Sequence, residues 1–114
     1  MDLCQNTYGV APEKLNIGTA FCGYEFDGAS ALGASCAACK VNQQNYGPYI
    51  KPRVNRQGWT RKFDRAAGVS YLVDPGRFGF ITYNDMSSTA DKTSHILKQR
   101  SFGGVFLWEL NADL

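Results

Sequence analysis

Residues 102–113 read F-G-G-V-F-L-W-E-L-N-A-D, and this stretch decides how the rest of the chain is interpreted. Its two glycines are residues that commonly end a helix, and the short apolar run after them is typical of a buried strand. That run, Val105 to Trp108, ends in an aromatic ring beside the carboxylate of Glu109. We interpret it as the final strand of a barrel, which delivers ligand-contacting side chains at its end.

The composition is that of one globular domain or less. The chain has 114 residues, of which 44% are hydrophobic and 19% charged, so a disordered chain is excluded. A net charge of +2 is too small to indicate a nucleic-acid or membrane partner. No apolar run approaches 18 residues, so no transmembrane helix is expected, and the opening M-D-L-C-Q-N-T-Y lacks the features of a signal peptide.

A second strand that packs beside the last one is predicted near the start of the chain. Larger side chains alternate with smaller ones from Leu15 to Phe21, which is typical of a strand. Because the last strand follows a helix and lies far away in sequence, we expect the two to be parallel neighbours in an α/β sheet. Parallel sheets are buried on both faces, so this pair is expected to lack partners within the chain.

The middle of the chain divides into three predicted parts. Residues 28–47 are small and polar without a period, which predicts an irregular segment. Trp59 and Phe63 with residues 71–73 predict an antiparallel pair closed by the turn signal D-P-G at 74–76. Residues 78–84 predict a further strand.

A helix is predicted before the two glycines. Ser88 followed by Asp91 resembles a capping box, which predicts a helix from there to about Arg100. Gly103 and Gly104 are expected to end it. The resulting division is residues 1–27 around the penultimate barrel strand, residues 28–77 as an insertion, and residues 78–114 as strand, helix and last barrel strand.

Two patterns could indicate other functions. Cys36-Ala-Ala-Cys39 is a C-x-x-C motif, but Cys4, Cys22 and His95 do not lie at zinc-ligand spacings, and no redox framework surrounds it. Free thiols are expected, with a disulfide inside the loop as the alternative. The six basic residues at 51, 53, 56, 61, 62 and 65 alternate with aromatic ones, a pattern that binds nucleic acid in some proteins but more often forms a solvated face.

Four blocks of sequence together resemble a known family. They are K-L-N-I-G-T-A-F-C-G-Y-E-F at 14–26, W-T-R-K-F-D-R-A-A-G-V-S-Y-L-V at 59–73, F-I-T-Y-N-D-M-S-S-T-A-D-K at 80–92, and F-G-G-V-F-L-W-E-L-N-A-D at 102–113. In order and spacing they are similar to the C-terminal part of family 18 glycoside hydrolases, the chitinases of bacterial type. The fold implied is the last two strands of a TIM (β/α)8 barrel, with a small α+β insertion between them.

The resemblance also implies a chemistry that can be checked against the acidic residues. Members of the family carry D-x-x-D-x-D-x-E, whose Glu protonates the glycosidic oxygen while an Asp orients the acetamide of the substrate as nucleophile. None of the ten acidic residues of this chain fits that spacing. We therefore expect no catalytic residue here.

The residues that the resemblance assigns to sugar contact are Trp108 and its neighbours. Trp108 matches the family tryptophan that lies under the reacting sugar, although a barrel-core tryptophan is the alternative. Glu109 follows at the carboxyl end of the strand, where barrel active sites lie, and could accept a hydrogen bond from a hydroxyl or form an ion pair.

Other candidate contacts lie on the first strand and the insertion. The segment Phe21-Cys22-Gly23-Tyr24 corresponds to a family Y-G-R pattern, with Cys22 in place of the tyrosine and Tyr24 in place of the arginine. Tyr24 is expected to contact the sugar or to form a rim aromatic. Asp64, Tyr71 and Tyr83 match positions that frame the family's cleft, with Tyr49 and Trp59 near them; the last two could instead form the insertion's own core.

The sequence thus predicts the C-terminal segment of a chitinase-like hydrolase, inactive alone, that supplies part of a cleft for chitin or GlcNAc oligosaccharides. The alternatives are a non-catalytic carbohydrate-binding or assembly subunit and a C-x-x-C metal or redox module. No cofactor, metal, nucleic acid or membrane partner is expected. The remainder of the barrel is expected on another chain, or the chain self-associates, and the resemblance implies a secreted protein. The expected contact residues are Phe21, Tyr24, Trp59, Tyr83, Trp108 and Glu109.

Overall fold

A computed structural model describes residues 2–29 and 31–114 and contains two separate sheets. The strands of the described residues are β1 (Asn16–Ala20), β2 (Cys22–Asp27), β3 (Lys40–Asn45), β4 (Thr60–Asp64), β5 (Val69–Asp74), β6 (Gly79–Tyr83) and β7 (Gly104–Trp108). Helix α1 spans Met86–Ser94 and continues as a wider turn through His95–Gln99. Short helical turns cover Leu3–Thr7, Pro12–Lys14, Tyr46–Ile50, Lys51–Arg53, Pro75–Arg77 and Leu110–Ala112. Within the described ranges, no helix is long and apolar enough to cross a bilayer.

The first sheet is the parallel pair β1–β7, as the sequence predicts. Asn16 lies opposite Gly104 and Ala20 opposite Trp108. The ring of Phe106 covers Gly18 so closely that a Cβ there would lie 2.8 Å from its Cζ, which explains the small residue. The segment before β7 is also joined to the segment before β1, because the N–H of Gly103 donates to the carbonyl of Leu15 at 2.8 Å.

The second sheet is antiparallel, with strand order β3-β2-β6-β5-β4. The predicted β4–β5 hairpin and the strand at 78–84 are confirmed. This sheet takes β2 from the range 1–27 and β6 from the range 78–114, so it extends beyond residues 28–77 on both sides. Its inner face packs Ile50, Leu72 and Ile81, all fully buried, with Trp59 and Tyr83.

The prediction that residues 28–47 are wholly irregular is wrong, because residues 40–45 form β3. The sequence K-V-N-Q-Q-N shows no apolar alternation, and all but one of its residues are exposed. It is a strand because it pairs with β2, with Lys40 opposite Asp27 and Asn45 opposite Cys22. Tertiary pairing overrides local preference here, as is common for strands.

The predicted helix boundaries also require correction. Asp85, not Ser88, is the N-cap, and its carboxylate accepts from the N–H of Ser88 while the Ser88 hydroxyl accepts from the N–H of Asp85. Ser88 therefore occupies the third helical position of the capping box, and the N-cap lies three residues earlier than predicted. At the other end the helical turns stop at Gln99, and Ser101 takes the left-handed conformation expected of the glycines (φ +54°).

The expectation of free thiols at the C-x-x-C motif is wrong. Cys36 and Cys39 form a disulfide, whereas Cys4 and Cys22 are free. The Cα atoms of Cys36 and Cys39 are 5.1 Å apart, within the range that a disulfide spans without backbone strain. Both half-cystines pack on a small apolar cluster of Ala29, Val73 and Phe80 on the outer face of the second sheet.

Candidate functional site

Trp108 lies at the carboxyl end of β7 with 68% of its surface exposed. Glu109 follows it and is also exposed. The carbonyl of Trp108 accepts a hydrogen bond from the N–H of Phe21 at 2.8 Å, which extends the ladder one residue past β1. The two strands therefore bring Phe21, Trp108 and Glu109 to one end of the parallel sheet.

A cleft of about 430 Å³ borders this end of the sheet. Phe21 joins the two sheets here, because its carbonyl accepts from the N–H of Tyr46 at 2.9 Å. The cleft is lined by Phe21, Tyr46, Lys51, Asn84, Asp85, Met86, Thr89 and Asp113. Neither Trp108 nor Glu109 lines it, so the exposed tryptophan and the cleft are two neighbouring features rather than one pocket.

Tyr24 lies on the outer face of the antiparallel sheet and is 48% exposed. It stands opposite Gln43 on one side and Thr82 on the other, and Tyr71 follows Thr82 in the same row. Tyr71 stacks on Phe80 with ring centroids 5.3 Å apart and is half-buried. The structure thus places Tyr24 on an accessible surface, as expected of a contact residue or a rim aromatic.

Tyr83 and Trp59, by contrast, belong to the core. They are 4% and 5% exposed. Tyr83 stacks on Tyr46 at a centroid distance of 5.9 Å, and burial, with the nearby Asp85 carboxylate, raises the pKa of its hydroxyl to about 12. The structure does not bring these two rings together with Trp108 at an accessible surface.

Asp85 connects the antiparallel sheet to α1, and it was not among the residues predicted from the sequence. Besides capping the helix, its carboxylate accepts from Ser70 at 2.7 Å and pairs with the Arg61 guanidinium at 2.7 Å. Burial acts to raise the pKa of Asp85, but the hydrogen bonds from Ser88 and Ser70 and the pairing with Arg61 outweigh it and leave the pKa below its usual value. The carboxylate is therefore ionised and fully engaged, which makes it a structural group.

Two further polar contacts tie the elements around the cleft together. Asn84 donates to the carbonyl of Ala20 at the end of β1 and accepts from Lys92 of α1. Burial lowers the pKa of Lys92. On β2, Glu25 accepts from Gln44 at 2.9 Å and from the Tyr49 hydroxyl at 2.8 Å. The only sequence signal for these groups was their place next to predicted strands.

The possible metal ligands, the clustered basic residues and His95 were the other candidates in the sequence, and some of them contact other residues of the fold. Among the described residues, no group of three or more His, Cys, Asp or Glu side chains is arranged to hold a metal ion. Two of the six clustered basic residues have internal partners: Arg61 pairs with Asp85, and Arg53 lies 3.6 Å over the Tyr49 ring. His95 contacts Gln99 one turn along its helix.

The family assignment follows from residues spread over the whole fold. The model of the glycosyl hydrolases of family 18 matches residues 2–113. The chain belongs to glycosyl hydrolase family 18. This family 18 chain is 30% identical over 115 residues to Chitinase A1 of Niallia circulans, which aligns 92% of the chain but only 16% of that protein.

Solved structures show the same fold for this family 18 segment. A family 18 N-acetylglucosaminidase from Paenibacillus barengoltzii superimposes with a TM-score of 0.82 at 24% identity, covering 98% of the chain and 34% of the enzyme. A family 18 chitinase from Cycas revoluta in complex with (GlcNAc)3 gives 0.78 at 23%, covering 95% of the chain and 32% of that chitinase. The chain therefore spans about a third of the length of these two solved enzymes. The expected family resemblance is confirmed.

Proposed function

We propose that this chain is the C-terminal segment of a chitinase-like domain and that it contributes a sugar-contacting surface without the catalytic acid. The observation that carries this proposal is Trp108, a large ring left 68% exposed at the carboxyl end of a parallel strand. Burying such a ring is strongly favourable, so an exposed one commonly marks a binding surface. Glu109 beside it supplies an acceptor for a hydroxyl.

Tyr24 and Phe21 extend the proposed contact surface along the junction of the two sheets. Phe21 bonds directly to the backbone of Trp108, and Tyr24 lies three residues further along the same stretch. In the place of the family's arginine, Tyr24 offers a ring and a hydroxyl instead of a charge. We expect weaker polar contact with the sugar than an arginine gives. Because Trp59 and Tyr83 are buried, we assign them to supporting the sheet.

The proposed segment corresponds to the last two strands of a TIM barrel with the antiparallel sheet inserted between them. In support, β1 and β7 are parallel neighbours joined through a helix, and β7 exposes Phe106, Leu107 and Trp108. The remaining barrel strands and the D-x-x-D-x-D-x-E motif would come from a further polypeptide. Chitin hydrolysis is then expected only from the combination.

The experiment mixes this chain with a polypeptide that carries the acidic motif and the other barrel strands, and assays a fluorogenic chitobioside. We expect no turnover by either part alone, turnover by the mixture, and a loss of at least about tenfold with Trp108→Ala, because an aromatic contact that strengthens in the transition state is removed. A Glu→Gln change of the partner's catalytic acid is the matched negative control.

Two results would count against the proposal. Hydrolysis by this chain alone would show that its own residues are catalytic. Binding of the oligosaccharide through Trp108 with no turnover in any combination would favour the non-catalytic carbohydrate-binding subunit instead.

A further inference from the structure

Strand β3 forms one edge of the antiparallel sheet. Within residues 2–29 and 31–114 it pairs with β2 alone, and all of its residues except Gln44 are exposed. An edge strand presents a row of backbone N–H and C=O groups that a further strand can bond.

The alternation of hydrogen bonds in an antiparallel ladder identifies which residues of β3 carry the free backbone groups. Tyr46 N–H donates to the carbonyl of Phe21, one step beyond the pair of Asn45 and Cys22. Residues that bond toward β2 recur at every second position, so Gln44, Asn42 and Lys40 share the orientation of Tyr46. The backbone groups of Val41, Gln43 and Asn45 therefore point outward, away from the sheet.

The opposite edge of the same sheet is protected, and β3 is not. Strand β4 carries the charged residues Arg61, Lys62 and Asp64, and the outward N–H of Arg61 is already bonded to the Asn55 side chain at 2.8 Å. Charges and capped backbone groups are the usual defences of an edge strand. Strand β3 has one charge, Lys40 at its first position, no proline, and four consecutive amide side chains.

We propose that β3 pairs antiparallel with β3 of a second copy of this chain, about a two-fold axis at Gln43. In this register Gln43 lies opposite Gln43 and Val41 opposite Asn45, so three residue pairs each exchange two backbone hydrogen bonds. Lys40 meets Tyr46, and therefore no like charges are opposed. The contact uses the same patch on both copies, as a closed two-fold dimer requires.

The amide side chains favour a second copy over an unrelated strand. Gln43 would face its own counterpart across the axis, and Asn42 would face Gln44, so each amide meets another amide that can both donate and accept. The pairing would join the two five-stranded sheets into one. It leaves Trp108 uninvolved, although Gln43 on the axis is the neighbour of Tyr24 across the β2–β3 pair.

The test is the mass of the whole chain in solution, by light scattering or sedimentation, across a concentration series. The wild type is expected to approach twice the monomer mass as concentration rises. Gln43→Pro removes an outward N–H but no bond to β2, and it should weaken association by about tenfold or more. Far-UV circular dichroism checks that the variant is folded.

A charge exchange makes the test specific to the axis. Gln43→Lys and Gln43→Glu each place like charges opposite one another and should each weaken association at least about twofold. A one-to-one mixture of the two variants should recover dimers, because opposite charges then meet. Thr60→Lys, an exposed position on β4, is the matched control and should leave association unchanged.

A monomer at every concentration would overturn the proposal. So would a dimer that is insensitive to the Gln43 variants, or a Lys and Glu mixture that associates no better than either variant alone.

Discussion

The two sheets of the molecule differ in how fully the chain covers them. In the antiparallel sheet Ile50, Leu72 and Ile81 are completely buried, whereas in the parallel sheet Phe106 and Leu107 are 55% and 46% exposed. The buried apolar clusters of the described residues lie on the antiparallel sheet. The antiparallel sheet is therefore packed by side chains of this chain, whereas apolar side chains of β7 remain accessible.

The difference follows from how each sheet is built. The antiparallel sheet comes from one contiguous stretch, residues 22–83, and the turns at 46–53 pack against its inner face. The parallel pair joins strands from opposite ends of the chain, and such sheets are buried on both faces when complete. The strands of the antiparallel sheet are therefore covered by segments close to them in sequence, whereas the apolar side chains of β7 stay accessible.

The largest effect on stability is expected from a substitution in the core of the antiparallel sheet. Ile81→Ala removes methyl groups from a site with no solvent exposure, so the free energy of unfolding should fall by about 2–5 kcal/mol. Leu107→Ala on the exposed parallel strand should cost less than about 1 kcal/mol. Urea unfolding followed by circular dichroism measures both, and equal losses would mean that the two sheets are covered alike.

A smaller effect is expected at the junction between the sheet and α1. Asp85→Ala removes the helix cap together with the partner of Arg61 and Ser70, and should cost about 2–3 kcal/mol. Asp85→Asn keeps an N-cap side chain and should cost less than the alanine variant. Asp27→Asn, at an exposed carboxylate, is the matched control and should change stability little.

The Asp85 carboxylate also makes the stability of the fold depend on pH. Because the folded pKa of Asp85 lies below the ordinary value of an aspartate, its contribution is complete above that ordinary pKa and is lost as pH falls through the lowered folded pKa. Asp85→Asn should flatten this part of the unfolding profile. An unchanged acid limb in that variant would show that the Asp85 contacts do not contribute to stability.

Sequence reasoning predicted the elements whose apolar pattern is local and missed those set by tertiary contacts. The parallel strands and the β4–β5 pair followed from the apolar and aromatic patterns, and the predicted D-P-G turn at 74–76 lies between β5 and β6. Strand β3 was missed because its amides show no apolar side. The helix start was misplaced because Asp85 and Ser88 both offer an N-cap side chain, and the contacts between these two residues make Asp85 the cap. For the candidate site, Trp108 and Tyr24 are exposed. The alternative that Trp59 belongs to the core of the insertion agrees with its burial, whereas no pattern in the sequence indicated that Tyr83 would be buried.

The most direct test of the central claim uses the contrast between the two tryptophans, Trp59 at 5% and Trp108 at 68% exposure. The whole chain is titrated with a GlcNAc oligosaccharide while tryptophan emission and acrylamide quenching are recorded. We predict a blue shift and reduced quenching that saturate with ligand in the wild type and are absent in Trp108→Phe, which retains Trp59 as an internal reference. An unchanged spectrum, or a response that persists in Trp108→Phe, would contradict the proposal that Trp108 contacts the sugar.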